Sequence, residues 1–157
     1  MSDVASISQK DEITRIAEIL GGEKVLRKNV RSPLDAHDLL MVGLPGYSLL
    51  ALTERFSQSA WTSSFEKAIG VSQRTFQRRK GALGKVLSPE QSSRAWKFAE
   101  IFAKAIEVMG SEDRARAWLT EPAMALDRRK PIDLMATPAG AELVEDLLVQ
   151  LEYGVYV

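Results

Sequence analysis

Eight residues of one short segment carry side chains of the kinds that proteins use to contact DNA: Ser72, Gln73, Arg74, Thr75, Gln77, Arg78, Arg79 and Lys80. The two glutamines can each form a pair of hydrogen bonds with adenine, and the first two arginines can do the same with guanine. Arg79 and Lys80 come at the end of the predicted helix, where they are better placed to contact phosphate. Ser72 and Thr75 can reach a phosphate or a base edge. The segment therefore predicts base recognition supported by backbone contacts.

The segment lies in a strongly cationic part of a chain whose net charge is zero. Residues 55–85 carry seven basic side chains and one acidic side chain, whereas residues 1–54 have a net charge of −2 and residues 86–157 one of −4. Concentrated positive charge attracts a polyphosphate backbone. A solvated basic face would give the same pattern, so charge alone does not choose between the two interpretations.

The residues around the segment have the spacing of a helix-turn-helix. A first helix presents Phe65 and Ile69 to a core, and Gly70 allows a tight turn. Ser72 caps a second helix whose Phe76 faces inward. In a helix-turn-helix the second helix lies in the DNA major groove with its N-terminal residues at the base edges. The alternative is an exposed basic helix in an all-α bundle, because helix–glycine–helix patterns are common.

The chain before this unit also has helical periodicity. Residues 11–20 form a predicted amphipathic helix that two glycines stop, and residues 23–32 are compatible with either a loop or a short strand. Ser32 and Pro33 predict the N-cap and first turn of a helix that runs to about Met41. Two further helices are predicted over residues 47–56 and 58–68.

The longest predicted helix follows, over residues 88–109, and it opens with a capping box of Ser88 and Gln91. Its apolar seam consists of Ala95, Phe98, Phe102, Ala105 and Met109. Its predicted solvent face consists of Arg94, Lys97, Glu100, Lys104 and Glu107. Glu100 and Lys104 have the spacing of a favourable ion pair along a helix. No alternating pattern predicts a sheet, so the fold class is all-α.

The end of the chain is apolar and acidic. After a short helix from Ser111 to Leu119 and a helical turn at residues 131–135, Thr137 caps the last helix. The predicted core stripe of this helix consists of Leu143, Val144, Leu147, Leu148 and Leu151. Residues 139–157 contain no Lys or Arg and end in Tyr-Gly-Val-Tyr-Val. Chain ends are usually polar and loose unless something holds them, so this end is expected to be buried on its own domain or on another protein.

Several function classes lack support in the sequence. The chain has no cysteine and one histidine, and it contains no nucleophile motif and no glycine-rich phosphate loop. No enzyme activity, metal site or cofactor is therefore predicted, and the three tryptophans, Trp61, Trp96 and Trp118, are expected in the core. No apolar run is long enough to span a membrane, and residues 1–10 do not have the pattern of a signal peptide, which predicts a cytoplasmic protein without a membrane partner.

From about residue 36 onward the chain resembles the Xre/MbcA/ParS family of antitoxins, which neutralise RES-domain toxins. Residues similar to the DNA-binding half of this family are Ala36, His37, Gly43, Leu44, Pro45, residues 69–72, Thr75, Arg78 and Arg79. Residues similar to its toxin-binding domain are Leu87, Ser88, Arg94, Gly110, residues 115–119, Pro122, residues 129–134, Thr137, Gly140 and residues 151–155. The chain departs from the family at residues 127–130, Asp-Arg-Arg-Lys, where members often have Gly or Asn. A different turn there would alter how the last helix docks.

The resemblance implies an Xre-like helix-turn-helix domain over residues 33–86 and a small helical domain over residues 87–157 that binds toxin and dimerises. Residues 1–32 would be an N-terminal extension with one helix. The implied partners are a RES-domain toxin that depletes NAD, operator DNA of the antitoxin's own operon, and a second copy of the chain. A homodimer is expected because operator half-sites mirror protein symmetry.

The C-terminal residues are the predicted toxin contact: Glu152, Tyr153, Gly154, Val155, Tyr156 and Val157. An anionic helix that ends in a free carboxylate could complement a toxin cleft that binds dinucleotide phosphates. Tyrosine is a favoured interface anchor, since it combines a large contact area with a polar tip. Two alternatives remain: the tail could pack on its own domain or on a second copy in a dimer, or the chain could be a homodimeric helix-turn-helix regulator with no toxin partner.

Overall fold

The computed structural model describes residues 2–56 and 62–154, and their side chains from residue 9 onward. Within these ranges it contains ten α-helices and two 3₁₀ turns, and the only β-type pairings are two isolated bridges, Pro45–Val86 and Ala123–Arg129. The fold class is all-α, as the sequence predicted. The helices are α1 Ser2–Ile19, α2 Gly22–Leu26, α3 Pro33–Val42, α4 Gly46–Phe56, α5 Ser63–Ile69, α6 Gln73–Arg79, α7 Pro89–Met109, α8 Glu112–Thr120, α9 Pro131–Leu134 and α10 Pro138–Glu152.

Helix starts are well defined by side-chain caps. In each of six helices the N-cap side-chain oxygen accepts a hydrogen bond from a backbone N–H of the first turn, which would otherwise lack a partner within the helix. The four predicted caps, Ser32, Ser72, Ser88 and Thr137, are confirmed, and Thr62 and Ser111 cap their helices in the same way. Gln91 returns a hydrogen bond to the backbone of Ser88 and completes the predicted capping box.

Helix α7 is the centre of the molecule, since it packs against helices from both halves of the chain, including α1, α3, α5, α8 and α10. Around it the side chains of Phe56, Phe65, Phe98 and Phe102 form an aromatic cluster. Phe56 stacks on Phe65 at 5.4 Å between ring centroids and meets Phe98 edge-to-face at 4.9 Å. The buried side chains of α1 to α10 form one continuous cluster, so the N-terminal and C-terminal parts of the described chain share a core.

The N-terminal extension differs from its prediction. The sequence predicted one helix in residues 1–32, with a loop or strand over residues 23–32, whereas the structure has a second helix there, α2. The predicted helix over residues 58–68 is α5, which begins at Ser63; residues 57–61, with Trp61, lie outside the described residues. Helix α2 has five residues, too few for periodicity to reveal, and it is held by burial of Leu26 against α1 and α4.

The predicted solvent face of α7 is wrong in two respects. Arg94 is half-buried and donates hydrogen bonds to backbone carbonyls of other elements. Lys104 does not pair with Glu100; its ammonium lies 2.6 Å from Glu152 of α10 and 3.9 Å from Glu107. Helical spacing identifies neighbours along one helix only, and Lys104 instead pairs with Glu152 on another helix.

Candidate DNA-binding and partner-binding surfaces

Helices α5 and α6 form the predicted helix-turn-helix. Gly70 ends α5 with φ +73°, in the left-handed region that favours glycine, and its N–H donates to the carbonyl of Glu66. Val71 is buried and fixes the turn against the core. Ser72 then caps α6, and Phe76 is buried beneath the helix. The turn and the buried side chain of Phe76 therefore fix the orientation of α6 relative to the core.

The outer face of α6 carries the candidate base-reading side chains. Gln73, Arg74, Gln77 and Arg78 are all exposed, and their spacing places them on one side of the helix. Lys80 is also exposed, just beyond the helix end. Helix α6 itself contains no acidic residue. This face can donate paired hydrogen bonds to base edges and has the charge to approach phosphate.

The other three predicted DNA-contacting residues, Ser72, Thr75 and Arg79, form hydrogen bonds within the protein or are partly buried. The Ser72 hydroxyl accepts from the Thr75 backbone N–H at 3.1 Å and donates to the Thr75 Oγ1 at 2.9 Å. The guanidinium of Arg78 lies 3.4 Å from the same oxygen. Arg79 is half-buried. The two hydroxyls therefore shape the start of α6, which leaves base contact to the longer amide and guanidinium side chains.

Helix α10 presents a second candidate surface, which we call the outer face of α10: Glu142, Leu143, Asp146, Val149 and Tyr153. Its three large apolar or aromatic members, Leu143, Val149 and Tyr153, are 55%, 44% and 76% exposed. The opposite side of the helix buries Ala141, Val144, Leu147 and Leu148. The outer face combines apolar side chains with two carboxylates, a composition typical of a protein-binding surface rather than a DNA-binding one.

The placement of Leu143 corrects a prediction. The sequence assigned Leu143 to the core stripe of the last helix, but its side chain is 55% exposed. The buried side is centred between Val144 and Leu148, and Leu143 lies about 100° around the helix from Val144. The apolar stripe of α10 is wider than the surface that the core covers, and Leu143 is therefore left exposed at its edge.

Two ion pairs hold α10 against α7. Lys97 lies 3.0 Å from Glu145, and Lys104 lies 2.6 Å from Glu152. Burial alone lowers the pKa of each lysine, but hydrogen bonds and charge attraction from the glutamates outweigh it and raise the pKa above its ordinary value. Glu152, one of the predicted toxin contacts, therefore already has an intramolecular partner.

The described part of the predicted tail is exposed. Tyr153 is 76% exposed, and Gly154 has φ +72° with open space where a side chain would begin. These two residues do not pack on their own domain. Val155, Tyr156 and Val157 lie outside the described residues.

The loop before α9 adopts a conformation that the sequence does not favour. Asp127 and Arg128 have φ values of +57° and +62°, the left-handed region that glycine and asparagine enter most easily. A backbone bond from Arg128 to the Ala123 carbonyl, at 2.9 Å, closes the loop. Two of the four residues that depart from the family pattern, Asp127 and Arg128, thus adopt the left-handed conformation that Gly or Asn would favour. Residues 127–130 are exposed, as expected for a solvated loop.

A groove of about 590 Å³ lies between α5, α7 and the start of α10, lined by Ala68, Arg94, Lys97, Met135, Thr137 and Glu142, among others. Among the residues whose side chains are described, no group of three His, Asp or Glu side chains could hold a metal ion. None of the described helices is both long and apolar enough to span a membrane.

Two protein-family models match the two surfaces. The model of the antitoxin Xre-like helix-turn-helix domain matches residues 62–100, and that of the antitoxin Xre/MbcA/ParS C-terminal toxin-binding domain matches residues 104–154. The chain contains the two domains of Xre-type antitoxins. The first match includes α5 and α6, and the second includes α8 to α10. The family's toxin-binding domain therefore contains the outer face of α10. Sequence reasoning had anticipated the acidic character of this helix and Tyr153 as a toxin contact, but it missed the exposed Leu143 and Val149.

Curated relatives support the same family. The chain is similar to antitoxin Xre of Yersinia enterocolitica, with 33% identity over 57% of this chain and 61% of the relative. Antitoxin Xre of Pseudomonas putida is 31% identical over 43% of each chain, and that of Photorhabdus laumondii 28% identical over 55% of this chain and 58% of the relative. The matches thus span about half of the length of these relatives.

Proposed function

We propose that this chain is an antitoxin that binds and neutralises a RES-domain toxin and represses its own operon through its helix-turn-helix. The observation that carries the proposal is that the two family matches coincide with two exposed surfaces of opposite character. Helix α6 has a cationic, hydrogen-bonding face, and α10 has an acidic and apolar one. In this proposal the chain is a binding protein rather than an enzyme, and it acts in the cytoplasm, where bacterial DNA is found.

The proposed toxin contact is the outer face of α10 together with the predicted residues 152–157. Leu143, Val149 and Tyr153 supply apolar contact area, and Glu142 and Asp146 supply negative charge toward a cleft that binds dinucleotide phosphates. The tail would enter or cap this cleft and so occlude the active site. Because Glu152 pairs with Lys104, its proposed role is to hold the end of α10 rather than to reach the toxin directly.

The proposed operator contact is the exposed face of α6. Gln73, Arg74, Gln77 and Arg78 would read base edges, with Arg79 and Lys80 on phosphate. Ser72 and Thr75 would support the start of the helix, or turn a hydroxyl to the nearest phosphate. Replacing Arg74 by Ala should remove one base contact, worth about 1–3 kcal/mol.

The resemblance implied dimerisation through residues 87–157, but we propose that a second copy of the chain instead covers an exposed apolar patch that consists of Met41, Val42, Tyr47 and Val86. Val86 lies against Gly43 and pairs with Pro45, which brings these side chains to one region at the end of α3. Two copies joined there would present two recognition helices to two half-sites. Val42→Asp and Val86→Asp should therefore shift the mass in solution from dimer to monomer.

Growth rescue tests the proposed toxin contact. The chain is co-expressed with the toxin gene expected beside its own, and growth is compared for the wild type, for Leu143→Asp with Tyr153→Asp, and for a chain ending at residue 152. The wild type should restore growth, and both altered chains should fail to do so although they still bind operator DNA. Full rescue by both altered chains would exclude this surface.

The matched control is Arg74→Ala, which alters only the DNA-binding face. It should rescue growth like the wild type but lose discrimination between the upstream DNA of its own gene and a scrambled duplex. If the wild type binds DNA specifically but neither rescues growth nor purifies with the neighbouring gene product, the chain is a homodimeric regulator without a toxin partner.

A further inference from the structure

An arginine outside the two helices α5 and α6 contacts the C-terminal end of α5. Arg94, on α7, donates from one guanidinium nitrogen to the backbone carbonyls of Lys67 and Ala68, the second at 3.4 Å. Both carbonyls belong to the last turn of α5, where helix carbonyls lack partners and carry partial negative charge. The same nitrogen lies 3.2 Å from the carbonyl of Ala136, in the segment between α9 and α10. Arg94 thus joins α5 to the C-terminal part of the chain.

The same guanidinium fills the space beside the turn. A Cβ added at Gly70 would lie 2.7 Å from Arg94 Nη1 and 2.9 Å from Cζ, closer than a Cβ approaches another heavy atom in folded proteins. Gly70 also has the left-handed φ of +73° that favours glycine. Glycine at this position therefore serves both the backbone turn and the close approach of the arginine.

We propose that Arg94 is a positioning residue that sets the orientation of the recognition helix α6 for base reading. Only Gly70, Val71 and Ser72 separate the two helices, and α6 has seven residues, so the position of the turn determines where its side chains point. Base contacts need accurate placement of paired donors, whereas attraction to phosphate tolerates displacement. The proposal rests on the proposed DNA-binding function.

The test replaces the fork-shaped guanidinium by an ammonium of equal charge. Arg94→Lys keeps the electrostatic attraction to DNA but cannot reproduce the guanidinium geometry on several carbonyls. Affinity is measured at one salt concentration for duplexes from the region upstream of the chain's own gene and for scrambled duplexes of the same composition. The ratio of the two affinities should fall about tenfold, while the affinity for scrambled DNA stays within about twofold of the wild type.

Arg116→Lys is the matched control. Arg116, on α8, donates to the carbonyl of Arg55 at 2.7 Å and so caps α4 in the way that Arg94 caps α5, but α4 lies outside the helix-turn-helix. The same exchange there should leave the affinity ratio unchanged. A similar fall in both variants would show a general effect of losing a helix cap and would overturn the assignment to Arg94.

A double-mutant cycle adds a second, independent readout. Gly70→Ala should reduce the affinity ratio in the wild type, because its Cβ displaces the Arg94 guanidinium, and should reduce it less when Arg94 is already Ala. The backbone strain of alanine at a positive φ is the same in both backgrounds and cancels in the cycle. Additive losses would contradict the proposal.

The outcomes separate this proposal from the function on which it rests. If the wild type does not distinguish upstream from scrambled DNA, the DNA-binding function fails. If the wild type discriminates and Arg94→Lys does so equally well, Arg94 does not position α6. If Arg94→Lys loses affinity for both duplexes in parallel, with a lower melting temperature, its role is structural only, and the proposal is wrong.

Discussion

The packing of α10 on α9 depends on a glycine, and Gly140→Ala tests it. Gly140 is buried in the first turn of α10, and a Cβ there would lie 1.9 Å from the backbone carbonyl oxygen of Leu134. Cβ atoms essentially never lie within 3.0 Å of another heavy atom, and no rotation of a side chain can relieve a clash with backbone. The two helices must therefore move apart by roughly 1 Å, or the start of α10 must unwind.

The expected loss of stability follows from two opposed effects. Overpacking of a close contact costs about 1–3 kcal/mol, and the clash with backbone points to the upper end. Alanine recovers up to about 1 kcal/mol over glycine in a helix. We expect a net loss of about 2 kcal/mol, which lowers the melting temperature of a chain of this size by roughly 4–8 °C.

The assay is thermal and urea unfolding followed by circular dichroism, with Gly81→Ala as the matched control. No heavy atom lies within 4 Å of a Cβ at Gly81, and its φ is not positive, so this exchange should change stability by less than about 0.5 kcal/mol. If Gly140→Ala melts at the temperature of the wild type, α9 and α10 do not pack as described.

The remaining predictions concern stability and can be measured in the same way. Ser92→Ala should cost about 1–3 kcal/mol of stability, because the buried Ser92 hydroxyl accepts a hydrogen bond from a buried backbone N–H at 2.8 Å. Ser48→Ala should be neutral or stabilising, because the buried Ser48 hydroxyl has no hydrogen-bond partner among the described residues. A larger loss of stability in Ser48→Ala than in Ser92→Ala would refute the hydrogen-bond assignment. Arg128→Gly should raise stability by up to about 1 kcal/mol by removing the strain of a positive φ, and a loss would mean that the Arg128 side chain has an important contact. Lys97 and Lys104 have raised pKa values in the folded state, so their ion pairs stabilise the fold fully below the ordinary lysine pKa of 10.5, and this stabilisation is lost as the pH rises through the raised values. The wild type should therefore be more stable than a variant with both α10 glutamate partners changed to Gln, and the difference in stability should narrow above pH 10.5. A difference that stays constant with pH would contradict these ion pairs.

Features that depend on local sequence could be predicted. Helix caps such as Ser72 and Ser88 bond to backbone three residues away, so their patterns are visible in the sequence and the structure confirms them. The helix-turn-helix was identified for the same reason, since Gly70 and Phe76 act within one short segment. Predicted contacts with DNA and toxin stay predictions.

Features that depend on distant contacts could not be predicted. The spacing of charges on α7 does not reveal that Arg94 reaches α5 and Ala136, or that Lys104 reaches α10, because those partners are 26 to 48 residues away in sequence. The exposure of Leu143 depends on how far the core extends across α10. These contacts arise from tertiary packing, which a helical period does not specify.

One comparison tests the central claim most directly: growth rescue and operator discrimination measured together for the wild type, for Leu143→Asp with Tyr153→Asp, and for Arg74→Ala. The account predicts that the α10 variant loses rescue and keeps discrimination, and that the α6 variant keeps rescue and loses discrimination. Rescue by the α10 variant at the level of the wild type, or loss of both activities in both variants, would contradict the division of toxin and DNA binding between these two helices.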